Sequence, residues 1–212
     1  MKRFYKEVSV TPDLGIALDG RSVKTPAKAT LTLLNATMAE AVADEWRAQK
    51  TDIDPHSMPF TGFANAAIDR IGADPHSFAT GLAHYAETDL LCYRADNQPE
   101  LLARQEAVWN PLLDWARARY DVSFTLVQGI MHQKQPAETV KRLSDAVMAR
   151  APFELAPLSP MVTITGSLVI ALGVLEKAVE PLAAFDAAHL DELWQAELWG
   201  EDHFALETRE HH

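Results

Sequence analysis

The chain has 212 residues, 48% of them apolar and 23% charged, a balance that fits one large or two small folded domains and excludes collagen-like, low-complexity and disulfide-scaffold sequences. Lys and Arg total 19 against 30 Asp and Glu, a formal charge of −11. Such a field repels phosphate backbones and anionic lipid, so nucleic acid and membrane surfaces are poor partners.

At the N-terminus, Met1–Glu7 carries basic residues with no apolar run behind them, so no export or transit signal is expected. From Phe4 to Leu33 short β-prone runs alternate with punctuation: Phe4 to Val10, Gly15 to Leu18, Ser22 to Thr25 and Ala29 to Leu33. This pattern predicts a small antiparallel meander. Asp19-Gly20 is its hairpin signal, because glycine accepts the positive φ of a type I′ turn. Asn35 is a plausible N-cap, and Ala39, Val42, Ala43 and Trp46 then follow helical spacing. Beyond a connector from Thr51 to Pro59, Phe60, Phe63, Ala64, Ala67, Ile68 and Ile71 trace one apolar stripe. Asp74-Pro75 restarts a helix expected to run on through Leu82, Tyr85 and Leu90 to Tyr93.

A longer helix is predicted over about Pro99 to Tyr120, with a kink at Pro111. Val122 to Val127 reads as an isolated strand that could return to the first sheet. Three helical patterns follow: Ala137 to Arg150, Pro160 to Leu175 and Pro181 to Trp199. The uncharged stretch Leu155 to Leu175 is broken by Pro157 and Pro160. Its continuous part, Met161 to Leu175, is about 22 Å long as a helix against a hydrocarbon layer of about 30 Å, so a buried core helix is expected. The expected architecture is α+β: a small N-terminal antiparallel β-rich domain over 1–55, then a larger mainly α-helical domain over 56–212.

Motifs for chemistry are scarce. Neither G-x-x-x-x-G-K-[ST] nor G-x-G-x-x-G occurs, so nothing is present to cradle phosphates. Gly166-Ser167 lies in an apolar helical pattern rather than in a nucleophile elbow. His84, Glu87 and Asp89 are the tightest candidate metal cluster, but Asp89 is rotated away from the other two on a helix. A polar helix face or a structural ion-pair cluster with Arg94 or Arg104 accounts better for them. Cys92, the single cysteine, permits no internal disulfide and sits among apolar residues, where a thiol is core packing. No cofactor is expected.

The informative asymmetry is at the other end. Between Ala178 and Thr208 there is no Lys or Arg, while Glu180, Asp186, Asp191, Glu192, Glu197, Glu201, Asp202 and Glu207 are all acidic. A solvated helix face explains this on charge alone. A docking surface for a basic partner explains it equally, since complementary fields raise the on-rate and select orientation.

Several segments, in order over nearly the whole chain, carry a resemblance. They are Leu18-Asp19-Gly20-Arg21 with Lys24-Thr25-Pro26, Asn65-Ala66-Ala67-Ile68-Asp69-Arg70, the block from Tyr85 to Ala95, Arg104-Gln105 with Trp109-Asn110-Pro111-Leu112-Leu113, Gly166-Ser167-Leu168-Val169, and Trp199-Gly200-Glu201-Asp202. Together they resemble the ATP12 family of F1-ATPase assembly chaperones. The resemblance implies a non-enzymatic protein that holds the F1 α subunit before it joins the β subunit. It also implies an acidic functional position in the Trp-Gly-Glu-Asp segment. Trp199 is then the expected partner-binding anchor and Glu201 and Asp202 its charged elements, with Glu197 and Trp194 on the same helix. The family implies the bacterial cytoplasm, or the mitochondrial matrix for a processed eukaryotic form. Two other classes stay open on the residues alone: a small-molecule enzyme with an acidic site between the domains, and a permanent structural subunit.

Overall fold

The structure, a computed structural model, describes residues 1–199. The meander forms where the punctuation predicts. β1 (Val8–Val10), β2 (Ile16–Leu18) and β3 (Arg21–Ser22) make one antiparallel sheet in the order β1-β2-β3, with Leu18 opposite Arg21 across the Asp19-Gly20 turn. Both turn residues have positive φ, 48° and 76°, and Gly20 takes the more extended of the two without a Cβ to strain it. The Lys24↔Thr30 and Gly15↔Thr32 bridges extend this sheet as single contacts.

One face of so small a sheet must be covered. Helix α1 (Ala36–Ala48) does this, started by the Asn35 side chain, whose Oδ1 accepts the Met38 N–H at 2.9 Å. Ile16, Leu31, Leu33, Ala39, Val42, Ala43 and Ala64 form the resulting core, and Tyr5, Leu18, Ile53 and Met58 a second cluster against Trp46. Ala64 comes from α2 (Pro59–Asn65), which runs into a π-helical stretch, Ala66–Ile71. The chain divides into two compact units, and this first one holds Met1–Pro75 together with Ala151–Pro157. Residue 55, the expected boundary, lies within it, because α2 supplies part of the sheet's cover.

The second unit holds His76–Arg150 and the chain from Leu158 on. Its first helix, α3 (Pro75–Ala83), ends well before Tyr93. The chain then makes two single 3₁₀ turns, His84–Ala86 and Leu90–Cys92, and a short strand β4 (Tyr93–Arg94). Helix α4 (Pro99–Tyr120) runs through Pro111 as one element. The strand expected at 122–127 is shorter and later, β5 (Val127–Gln128). It pairs in parallel with β4 as a separate two-stranded sheet and does not return to the N-terminal one. Helix α5 (Ala137–Met148) follows.

The apolar helix expected over Pro160 to Leu175 is two helices, α6 (Pro152–Thr165) and α7 (Leu168–Leu175). Gly166 turns the chain with φ 62°, and Ser167 is an N-cap whose Oγ accepts the Ile170 N–H at 3.0 Å, not a mid-helix serine. The last predicted helix is likewise two, α8 (Pro181–Ala188) and α9 (Leu190–Trp199), parted at His189. Trp109, Leu113 and Ala116 of α4 pack with Val169 and Ile170 of α7 and with Ala184, Ala187, Leu190 and Trp194 of the α8–α9 pair. The Trp109 indole N–H donates to the Ala187 carbonyl at 2.8 Å, which satisfies a buried donor.

Candidate functional site

Within each unit, motif residues that lie apart in the sequence meet in space and bond to one another inside the fold. In the first unit Asp69 accepts the Thr25 hydroxyl at 2.6 Å and the Ala27 N–H at 2.8 Å, tying the Asn65-to-Arg70 segment to the Lys24-Thr25-Pro26 turn. In the second, Asp89 is completely buried. Its Oδ1 accepts the Leu91 N–H at 3.0 Å and its Oδ2 the Val169 N–H at 2.9 Å, so one carboxylate caps both the 90–92 turn and α7. Burial pushes its pKa up to about 6, against the lowering effect of these N–H donors and the Ser167 hydroxyl.

Arg94, 5% exposed, lies over the Trp109 ring at 5.2 Å and donates from Nη2 to Asn110 Oδ1 at 2.9 Å. Burial lowers its pKa. Gln105 bridges two elements, accepting the Ala95 N–H at 2.7 Å and donating to Asp191 Oδ1 at 2.8 Å.

These positions correct the expected acid cluster around His84, Glu87 and Asp89. Asp89 is turned onto backbone, Glu87 lies 3.8 Å from His132, Arg94 bonds Asn110 and Arg104 bonds Glu197. Among the described residues no group of three or more His, Cys, Asp or Glu is placed to hold a metal ion. Cys92 is buried, with its thiol pushed up to about 12, mainly by burial and then by the Asp89 charge, so it stays a neutral packing group.

The expected partner residues fall at the end of α9. Trp194 is 9% exposed and packs in the core of the second unit, with the Arg104 guanidinium 4.6 Å over its ring. Glu197 is exposed and pairs with Arg104 at 2.8 Å, a bond that holds its carboxyl below the usual range. Trp199 is the last residue of α9, and Glu201 and Asp202 lie outside the described residues.

Beside Glu197 the surface is concave. A groove of about 430 Å³ is floored by Ala107 and Val108 of α4, Ala183 and Ala187 of α8, and Leu190 and Leu193 of α9, and is rimmed by Arg104, Asp186 and Glu197. Val108 is 40% exposed within it. Leu182, 73% exposed, and Leu198, 55% exposed, adjoin lining residues in sequence. Sequence reasoning missed this groove. Its signal was the 186-190-193-197 row, where acid and apolar residues share a helical spacing while the chain from 178 to 199 has no Lys or Arg. A second concavity, in the first unit, is lined by Leu33, Val42, Phe60, Phe63 and Phe153 with no charged group.

Residues 2–117 match the family model of the ATP12 chaperone protein. The chain belongs to the ATP12 chaperone family. It is similar to the crystal structure of Atp12 from Paracoccus denitrificans, with a TM-score of 0.94 and 34% identity over 98% of this chain and 91% of that one. It is also similar to Atu1473 of Agrobacterium tumefaciens, described as a putative chaperone, with a TM-score of 0.92 and 40% identity over 99% of this chain and 80% of that one. Mitochondrial protein atp12 of Schizosaccharomyces pombe is 25% identical over 94% of this chain and 74% of its own length. ATP12 proteins are chaperones and not an enzyme family, which removes the small-molecule enzyme as an alternative. Among the described residues no helix is long and apolar enough to cross a membrane.

Proposed function

We propose that this ATP12-family protein holds the unassembled α subunit of the F1-ATPase, keeps it from aggregating, and yields it to the β subunit. The observation that carries the reading is the acidic surface of α8 and α9, which have no Lys or Arg of their own, beside an exposed apolar groove; in sequence this tract continues into Trp199-Gly200-Glu201-Asp202. A subunit awaiting neighbours exposes apolar and cationic surface that the finished oligomer covers. A reversible cover needs the same two ingredients in complement, apolar contact within a charged rim.

The chaperone contact is weaker than the final subunit interface, which buries more area, so handover needs no nucleotide cycle. Trp199 is the anchor, Glu201 and Asp202 the charged elements, and Glu197 extends them along α9. The compartment is the one in which F1 is assembled, the cytoplasm of a bacterium or the mitochondrial matrix.

Co-purification tests this directly. The tagged full chain is mixed separately with unassembled α and β subunits. Retention of α alone, lost on the double reversal Glu201→Lys and Asp202→Lys with the thermal unfolding curve unchanged, is the expected result. Retention of β instead of α refutes the assignment, and stoichiometric presence in the finished F1 makes the protein a subunit rather than a chaperone.

A further inference from the structure

We infer that the groove between α4 and the α8–α9 pair is the seat of one helical segment of the client, bearing an apolar row flanked by Lys or Arg. The assignment rests on the chaperone reading above and specifies the chemistry of what its acidic face holds.

Three observations point to that occupant. First, every lining residue belongs to a helix. Among the described residues no sheet edge borders the groove, so an extended peptide would find no ladder of backbone donors and acceptors there. A helix brings its own backbone bonds satisfied, as in helix-in-groove recognition. Second, the floor combines small residues, Ala107, Ala183 and Ala187, with Val108 and Leu193. Alanines let a helix approach closely, and the larger residues meet its apolar row at i, i+3 and i+4 spacing. Third, the rim is electrostatically one-sided. Asp186 is exposed, and among the described residues the one lining cation, Arg104, is already bonded to Glu197. From 178 to 199 the chain adds Glu180, Asp191 and Glu192 and no Lys or Arg, so the field at the groove selects a basic segment.

The same charge argues against the chain's own end as occupant. Residues 200–212 carry Glu201, Asp202, Glu207 and Glu210 against a single Arg209.

The probe is a fluorescein-labelled synthetic helix with a leucine row and lysine flanks, read by anisotropy on the full chain and carrying a photo-crosslinker on its leucine face. Crosslinks are expected within 104–108 and 183–197. Val108→Ser, which removes exposed apolar area, and Asp186→Lys, which reverses the rim, each weaken binding at least about fivefold. Glu7→Lys, an equal charge change on the exposed surface of the first unit, shifts it less than about twofold. All three positions are exposed, and unchanged thermal unfolding checks the fold.

Crosslinks elsewhere, or equal weakening by Glu7→Lys, overturn the assignment by reducing it to bulk charge attraction. Competition by a synthetic peptide of residues 200–212 gives the groove to the chain's own end. A dimer that Val108→Ser dissociates gives it to a second copy. Either result also overturns it. Failure here is distinct from failure of the chaperone reading: α retained unchanged by the Val108→Ser and Asp186→Lys variants sinks the groove alone, whereas α not retained by the unaltered protein sinks the function.

Discussion

Replacing Asp89 with alanine tests how the second unit is held together. In the folded chain its two oxygens satisfy the N–H groups of Leu91 and Val169. Removal leaves two buried donors unpaired at about 1–3 kcal/mol each, for a loss of about 4 kcal/mol where the carboxyl is neutral. Ionisation changes that figure. The folded pKa is about 6 and the ordinary value 3.8, so the native state holds a proton that the unfolded chain has released. Stability from this group is therefore full below pH 3.8 and declines as pH rises through 6. Between pH 4 and 7.5 the decline integrates to about 2–3 kcal/mol. The alanine variant lacks this dependence, so its deficit against the parent is about 4 kcal/mol at pH 4 and about 1–2 kcal/mol at pH 7.5. Urea unfolding followed by tryptophan fluorescence measures it, since Trp109, Trp115, Trp194 and Trp199 all lie in the second unit. The two pH values also stand clear of the isoelectric point near 5.1. A deficit that grows with pH, or one below about 0.5 kcal/mol at pH 4, would refute the double-cap account.

Glu45 does for α2 what Asp89 does for α7. Its carboxylate accepts the Phe60 and Thr61 N–H groups at 2.6 and 2.7 Å and the Thr61 hydroxyl at 2.7 Å. Glu45→Ala should cost about 2–4 kcal/mol in urea unfolding of the first unit, with Glu45→Gln recovering part of the loss. Glu176 collects Arg119 at 2.6 Å, Arg150, and the Tyr120 hydroxyl at 2.9 Å. Its burial alone would raise its pKa, and these three partners overcome that and lower it. The stability it adds is present above about pH 4.5 and is lost as pH falls through its folded pKa. Glu176→Gln should therefore destabilise by about 1–2 kcal/mol at pH 7 and progressively less below pH 4, and a constant deficit across that range contradicts the ion-pair account.

What the sequence disclosed was local. Asn35 acts as the cap its residue type suggests, Asp19-Gly20 makes the hairpin turn, and the Trp109-Leu113-Ala116 seam is buried as its spacing requires. What it concealed depends on distant residues. The run from Met161 to Leu175 has no polar interruption strong enough to announce a break, and the chain breaks at Gly166-Ser167 because Asp89, about eighty positions earlier, offers its oxygen to the new helix start. The parallel pairing of β4 with β5 involves two residues on each side, too few for any period to register. Glu45 reads as one more charge on a polar helix face, yet it is 9% exposed, because the donors it serves belong to the next helix. For the candidate site, the acidic tract was plain in the sequence. The concavity beside it was not, because its floor is assembled from three helices of which one, α4, is about eighty residues away along the chain.

The Arg104–Glu197 pair sets how firmly an acidic face of this kind can grip. An incoming lysine that reaches Glu197 displaces Arg104 and exchanges one exposed ion pair for another, so the swap is close to neutral. In the proposed groove, holding strength at Glu197 would then rest on side-chain fit on the alanine, valine and leucine floor. A cargo held in that way can be surrendered to any neighbour that offers it a broader contact, without a fuel molecule to open the clasp.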